Sequence, residues 1–245
     1  MAVRPPASTG FDPLVLVPGL MCDHAVWAPV LPALAAGRRC HVIDHGDARS
    51  LATMASRLLD SAPARFALAG HSMGARVALE VVRQAPARIS RLALLDTGYL
   101  PRPAGLAGED EVHKRHALLH TARTHGVRAM ASEWVQGMVH PARLDDAALI
   151  ESIVAMFERK SAEIFECQIA ALLARPDASS VLAGLSVPTL LLCGRQDGWA
   201  PLVQHQAMQA LVPGAVLEVI EDAGHMAPME RPDAVAAALQ RWLTR

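Results

Sequence analysis

Charge of one sign is missing from this sequence: 23 Lys and Arg face 24 Asp and Glu, for a formal net charge of −1. A nucleic-acid surface needs a basic excess or a Lys/Arg run to neutralise phosphates, so that class of partner is set aside. Long apolar runs are missing as well. None approaches the roughly 18–20 residues that cross a bilayer, so no membrane partner is expected. Cysteine is sparse, with four residues at 22, 40, 167 and 193 and no C-x-x-C pair. That removes zinc-ligand spacing and the dithiol redox motif. The opening Met1-Ala2-Val3-Arg4-Pro5-Pro6 lacks the apolar core of a secretory leader, and a cytoplasmic setting is the expectation.

What the chain does have is apolar mass. Of its 245 residues, 52% are hydrophobic and 19% charged, enough for one large core and too apolar for disorder. Short runs without polar alternation recur at Leu14–Val17, His41–Ile43, Phe66–Ala69, Leu92–Leu95, Leu190–Cys193 and Val216–Ile220. Such runs suit strands buried on both faces. Helical patterns separate them. Ser50 is placed to cap a helix with Leu51, Met54, Ala55, Leu58 and Leu59 inward. Ala75, Ala78, Leu79 and Val82 follow Ser72 at helical spacing until Pro86 stops them, and Pro201 and Pro232 are placed to open two further helices. This alternation predicts an α/β fold with about six mostly parallel strands and crossover helices. One stretch breaks the rhythm. From residue 98 to 185 only helical patterns occur, expected near 109–124, 127–138, 145–157 and 161–174. The organisation expected is therefore a core of residues 1–97 and 186–245 with a helical cap, 98–185, inserted over the sheet.

The segment with chemical content is Gly70-His71-Ser72-Met73-Gly74. A G-x-S-x-G match alone is a weak signal, but here a buried strand runs into it and an amphipathic helix runs out. That context holds a serine on a strained turn, with small neighbours needed on either side. Serine is a poor nucleophile at its ordinary pKa and needs a base and an orienting acid. In the expected chain order these come from later strand ends: Asp197 in Gly194-Arg195-Gln196-Asp197, and His225 in Gly224-His225-Met226. Asp96, which follows Leu92–Leu95, is a rival acid; Glu221 and Asp222 are weaker ones. His71 is expected to pack rather than react, and Cys22 to be a small buried hydrophobe. His113, His116 and His120 share one helix face at i, i+3 and i+7, and read as a polar face rather than a metal site.

On these residues the chain resembles the α/β-hydrolase superfamily, in its compact capped form, from about Leu14 to Trp242. The anchors are Pro18-Gly19, Gly70–Gly74, Gly194–Asp197 and Gly224–Pro228. Three departures stand out. Pro18-Gly19 replaces the usual His-Gly, and Asp44-His45-Gly46-Asp47 replaces a Gly-His-Gly loop. The family's two N-terminal antiparallel strands have no room before Leu14. The resemblance implies an oxyanion hole formed by the backbone N–H groups of Leu20 and Met73. It also implies an acyl-serine mechanism with no metal or organic cofactor. A serine at position 72 argues against the dehalogenases and epoxide hydrolases of this fold, which use aspartate there. Candidate pocket residues are His24, His45, Trp134, Met138, Met156, Trp199 and Met226. The expected function is cleavage of small to medium, largely apolar carboxylic esters. Thioesterase, lactonase, C–C hydrolase and acyltransferase chemistry use the same triad, and a non-catalytic binding module of this fold is the remaining alternative.

Overall fold

A computed structural model describes residues 12–245. The expectations for the N-terminal leader and for the missing antiparallel strands concern residues outside those described. The apolar runs become six strands: β1 Leu14–Val17, β2 Cys40–Val42, β3 Phe66–His71, β4 Ile89–Leu95, β5 Thr189–Gly194 and β6 Val216–Ile220. They form one sheet in the order β2-β1-β3-β4-β5-β6, and every adjacent pair is parallel. Register places Gly70 beside Val17 and His71 beside Leu95. The C-terminal ends of β1, β3 and β4 therefore lie together at one edge. β1, β3 and β5 are buried along their whole length, which a parallel sheet achieves only with both faces covered. Leu14, Leu16 and Leu68 are fully buried, and truncating any one to Ala would cost about 2–5 kcal/mol.

The covering helices are α1 Leu31–Leu34, α2 Leu51–Ser61, α3 Met73–Gln84, α9 Leu202–Leu211 and α11 Pro232–Thr244. Ser50 caps α2 as expected, its hydroxyl accepting from Thr53 N–H at 3.1 Å. Pro232 opens α11 at its first turn, where a missing N–H costs nothing.

Between β4 and β5 the chain is helical: α4 Leu106–Thr124, α5 Val127–Trp134, α6 Ala147–Glu158, α7 Ala162–Leu173 and α8 Ser179–Ala183. Asp146 and Ser161 cap α6 and α7 through the N–H groups of Leu149 and Ile164. α4 packs on α5 and α7, and α5 on α6, whereas α8 packs on α3 and α9. The helices that pack on one another thus end at Leu173, short of residue 185. Side chains of this layer tie it to the core near β1 and β2. Gln168 Oε1 accepts from Met21 N–H at 2.8 Å, and Arg159 grips Asp23 with two bonds of 2.7 and 3.0 Å. No described helix is long and apolar enough to cross a membrane.

Candidate active site

The turn from β3 into α3 leaves no room for side chains at its two glycines. A Cβ on Gly70 would run into the Gly74 carbonyl and the Ala75 backbone. One on Gly74 would run into the Val17 and Pro18 carbonyls. Those two approaches force Ser72 to φ 54°, ψ −118°, a region that non-glycine residues enter only when the surroundings impose it. The strained residue is tied on both sides. Ser72 N–H donates to Leu95 O at 2.9 Å, and Thr97 Oγ1 donates to Ser72 O at 2.9 Å.

His225 follows β6 and meets this serine: its Nε2 lies 2.8 Å from Ser72 Oγ. Its Nδ1 lies 2.8 Å from Asp197 Oδ2. A carboxylate only accepts, so Nδ1 carries the proton and Nε2 is left as the acceptor for the Ser72 hydroxyl. Asp197 is almost fully buried. Burial pushes its carboxyl upward, but His225 and the N–H groups of Ala200 and Trp199 outweigh that and bring it down to about 2. Those N–H groups reach Oδ1 at 2.9 and 2.8 Å, leaving Oδ2 for His225.

The rival acids stand elsewhere. Asp96 Oδ1 accepts from Gly194 N–H at 2.9 Å, and its Oδ2, 3.8 Å from His71 Nε2, has no hydrogen-bond partner among the described residues. Burial and the nearby Asp197 push its carboxyl well above the ordinary range, and it bonds no atom of the Ser72–His225–Asp197 chain. Glu221 pairs with Arg195 and Asp222 with Arg231.

Several other expected residues have structural duties. His71 Nε2 lies 2.8 Å from the His225 carbonyl, so Nε2 carries its proton. Burial, with His225 beside it, brings it down to about 3. His45 Nε2 likewise donates to Pro18 O at 2.8 Å, propping the turn before Leu20 from behind. His24 points away: its side chain is 72% exposed, at the start of a turn capped by Asp23. Cys22 is buried, and burial pushes its thiol far up, so no thiolate forms there. His113, His116 and His120 are exposed on α4.

Ser72 and His225 open into a cavity of about 680 Å³ bounded by the sheet edge below and by α4–α7 above. Leu20 and Met73 line it near the serine. Met73 is the first residue of α3, so its N–H is one of the groups a helix start leaves unpaired. Of the candidate pocket residues, Trp134, Met138, Trp199 and Met226 line the wall; His24, His45 and Met156 do not. Met156 is fully buried, about 100° round α6 from the lining Phe157. Phe157 and Phe165 were legible only as apolar stripes, yet both face the cavity and contact the Trp134 ring at 5.4 and 5.5 Å. Trp134 stacks on Trp199 at 5.6 Å, and Trp199 lies 4.9 Å from the His225 ring.

Sequence reasoning missed Glu230. It is 2% exposed, and its carboxylate accepts three backbone N–H groups: Gly224 at 2.9 Å, Met226 at 3.2 Å and His140 at 2.7 Å. Two of these flank His225 and the third belongs to the helical layer. His225 N–H itself donates to Met138 O at 2.6 Å. Glu230 lies four positions after Met226, and the short helix α10 Ala227–Glu230 brings it back under the loop.

A parallel sheet with a helical insertion, and a serine on a strand-to-helix elbow bonded to a histidine and a buried carboxylate, defines an α/β-fold hydrolase. The chain belongs to the alpha/beta hydrolase family, whose model matches residues 14–238. It is 28% identical to a pimeloyl-acyl-carrier-protein methyl ester esterase of Photobacterium profundum, over 94% of both chains. It is 30% identical to the dihydrolipoyllysine-residue acetyltransferase component of an acetoin cleaving system of Pseudomonas putida, covering 96% of this chain and 64% of that one. Among solved structures, a thermophilic esterase from Thermogutta terrifontis superposes with a TM-score of 0.82 at 26% identity, over 95% of this chain and 89% of that one. An enol-lactonase from Burkholderia xenovorans shares the fold, with a TM-score of 0.81 at 23% identity, over 97% and 94%.

Proposed function

We propose that the protein is a serine esterase that cleaves small to medium, largely apolar carboxylic esters through an acyl-Ser72 intermediate. The observation that carries this reading is the unbroken chain of two 2.8 Å bonds from Ser72 to His225 to Asp197 at the floor of one cavity. In the first half-reaction Ser72 Oγ attacks the carbonyl carbon and its proton passes to His225 Nε2. The tetrahedral oxyanion rests on the N–H groups of Leu20 and Met73, each contributing about 2.7–4 kcal/mol to the transition state. The C–O bond to the alcohol breaks, and the His225 proton leaves with it. Water then attacks the acyl carbon while His225 takes its proton; the carboxylic acid departs and Ser72 is reprotonated. Asp197 stays ionised throughout and balances the imidazolium. The esterase names of the Photobacterium and Thermogutta relatives support an ester as the substrate class.

The test is fluorophosphonate labelling of wild type and Ser72→Ala, read by intact mass, with initial rates on p-nitrophenyl esters of increasing chain length. One label, absent in the variant, with turnover peaking at a particular chain length, is the expected result. Labelling without ester turnover would move the assignment to lactones, thioesters, C–C bonds or acyl transfer. No labelling would overturn the catalytic reading and favour a binding module.

A further inference from the structure

The cavity is not apolar throughout. Away from the aromatic wall it is lined by Arg76, Arg115 and Arg175, with Glu111 among them. Arg175 takes both Glu111 carboxylate oxygens at 2.7 Å, and Arg115 Nε donates to the same carboxylate at 3.0 Å. One carboxylate thus answers three guanidinium groups. Lys114 does not alter that balance, because it is paired with Asp110 at 2.7 Å. Glu133 is exposed, and Asp96 is fully buried and bonded to Gly194 N–H rather than to any of the three arginines.

Arg76 is the least satisfied of the three. Its one hydrogen bond among the described residues runs from Nη1 to Leu100 O at 2.9 Å, and no carboxylate there pairs with it. Burial and the neighbouring Arg175 press it below the ordinary guanidinium range, against the pull of Glu111. Gly98 leaves it room, since a Cβ at that position would sit 2.9 Å from Arg76 Nη2 and 2.6 Å from Gln204 Nε2. Two donor groups, one cationic, therefore flank the same bare stretch of backbone. A half-buried cation with no carboxylate bonded to it is costly to keep, and a guanidinium fork matches a carboxylate in two parallel bonds. Arg76 also sits four residues after Ser72, one helical turn or about 6 Å along α3. A substrate held at Ser72 can reach it with a short chain.

We propose that this end of the cavity is a carboxylate subsite, and that the ester cleaved at Ser72 carries a free carboxylate: a half-ester of a dicarboxylic acid. The scissile carbonyl lies on Ser72, the intervening methylenes run along the apolar wall, and the carboxylate pairs with Arg76 while Glu111 keeps Arg115 and Arg175. The substrate assignment rests on the esterase reading; the anion subsite itself does not.

The experiment compares kcat/KM for the mono-p-nitrophenyl ester of adipic acid with that for p-nitrophenyl hexanoate, in wild type, Arg76→Gln and Arg76→Lys. The charged ester is expected to be favoured by about tenfold or more in wild type. Arg76→Gln should collapse that ratio, mainly through KM, and Arg76→Lys should restore part of it. A wild-type ratio at or below one, or the same ratio in Arg76→Gln, would overturn the proposal and leave Arg76 as a clamp on the Leu100 carbonyl. Thermal unfolding of the wild-type protein with adipate or hexanoate reads the subsite without catalysis. Adipate should raise Tm and hexanoate should not; equal shifts, or none, would overturn the subsite even if esters are cleaved. An adipate-specific shift in a protein that neither labels nor turns over would instead keep the subsite and remove the esterase reading.

Discussion

Ser72, His225 and Asp197 form a one-way relay of hydrogen bonds, and the direction fixes what each substitution should do. Ser72→Ala removes the attacking atom and should lower kcat by about 10⁶. Asp197→Asn keeps the shape, but its amide can donate where only acceptance is useful, so the imidazole tautomer is lost and kcat should fall by about 10⁴. Asp96→Asn should stay within about tenfold of wild type, since Asp96 bonds Gly194 N–H and no reacting atom. Steady-state rates for the three variants check this ordering; a larger loss at Asp96 than at Asp197 would reverse the acid assignment. The two aspartates also pull stability in opposite directions. Asp197 titrates lower in the folded chain, near 2 against an ordinary 3.8. Its pairing therefore stabilises by about 2 kcal/mol above the ordinary carboxylate range, a contribution lost as pH falls through about 2. Asp96 titrates higher when folded, so its contribution is complete in acid and disappears as pH rises through its folded value. Melting curves of Asp96→Asn against pH should be flatter than wild type on that rising limb.

The elements that carry these residues differ in how plainly the chain announces them. β1 runs over Leu14–Val17 just as its apolar run does, and β6 over Val216–Ile220, because a strand buried on both faces has no polar alternation to blur its ends. Helices between them began within a few residues of their capping signals. Positions on the cavity wall were harder. Periodicity marks a helix's apolar stripe but not which part of it meets a cavity, so Met156 and Phe157, adjacent in sequence, face different surroundings. His24 was drawn outward by the Asp23 cap that Arg159 grips from α6. Contacts assembled from distant segments left no local trace. Arg76, Arg115 and Arg175 come from three helical regions, and Glu230 reaches back to Gly224 only through α10. The Glu230 carboxylate holds the His225 loop from both sides, which gives a prediction for this element. Glu230→Ala would strand the N–H groups of Gly224, Met226 and His140 and should cost about 2–4 kcal/mol in urea unfolding. Glu230→Gln, able to accept with one oxygen, should lose less. If Glu230→Ala melted like wild type, the carboxylate would not be holding the loop.

At the scale of the molecule, the helical layer over the sheet is held by unlike contacts. Near β1 and β2 the ties are polar: Gln168 to Met21, Arg159 to Asp23, and Lys160 to Asp44 at 2.8 Å. Each of these ion pairs keeps one partner open to solvent, Asp44 in one and Arg159 in the other, so salt screens it and its net contribution is on the order of 1 kcal/mol. Lys160→Ala should therefore shift Tm by no more than a few degrees, with the core sheet unaffected. Above the site, the ties are aromatic. The whole chain has nine aromatic residues, four Trp, four Phe and one Tyr. Trp134, Phe157, Phe165 and Trp199 all line this one cavity. The stack they build ends against the catalytic base, with Trp199 42% exposed at the mouth and 4.9 Å from the His225 ring. Trp27 and Trp242 are buried in the core, away from the cavity lining. Of the four indoles, one pair alone therefore senses what enters the site. The emission of this protein should shift and change in intensity as ligand displaces water from Trp199. The enzyme thus signals occupancy of its own site without any added dye.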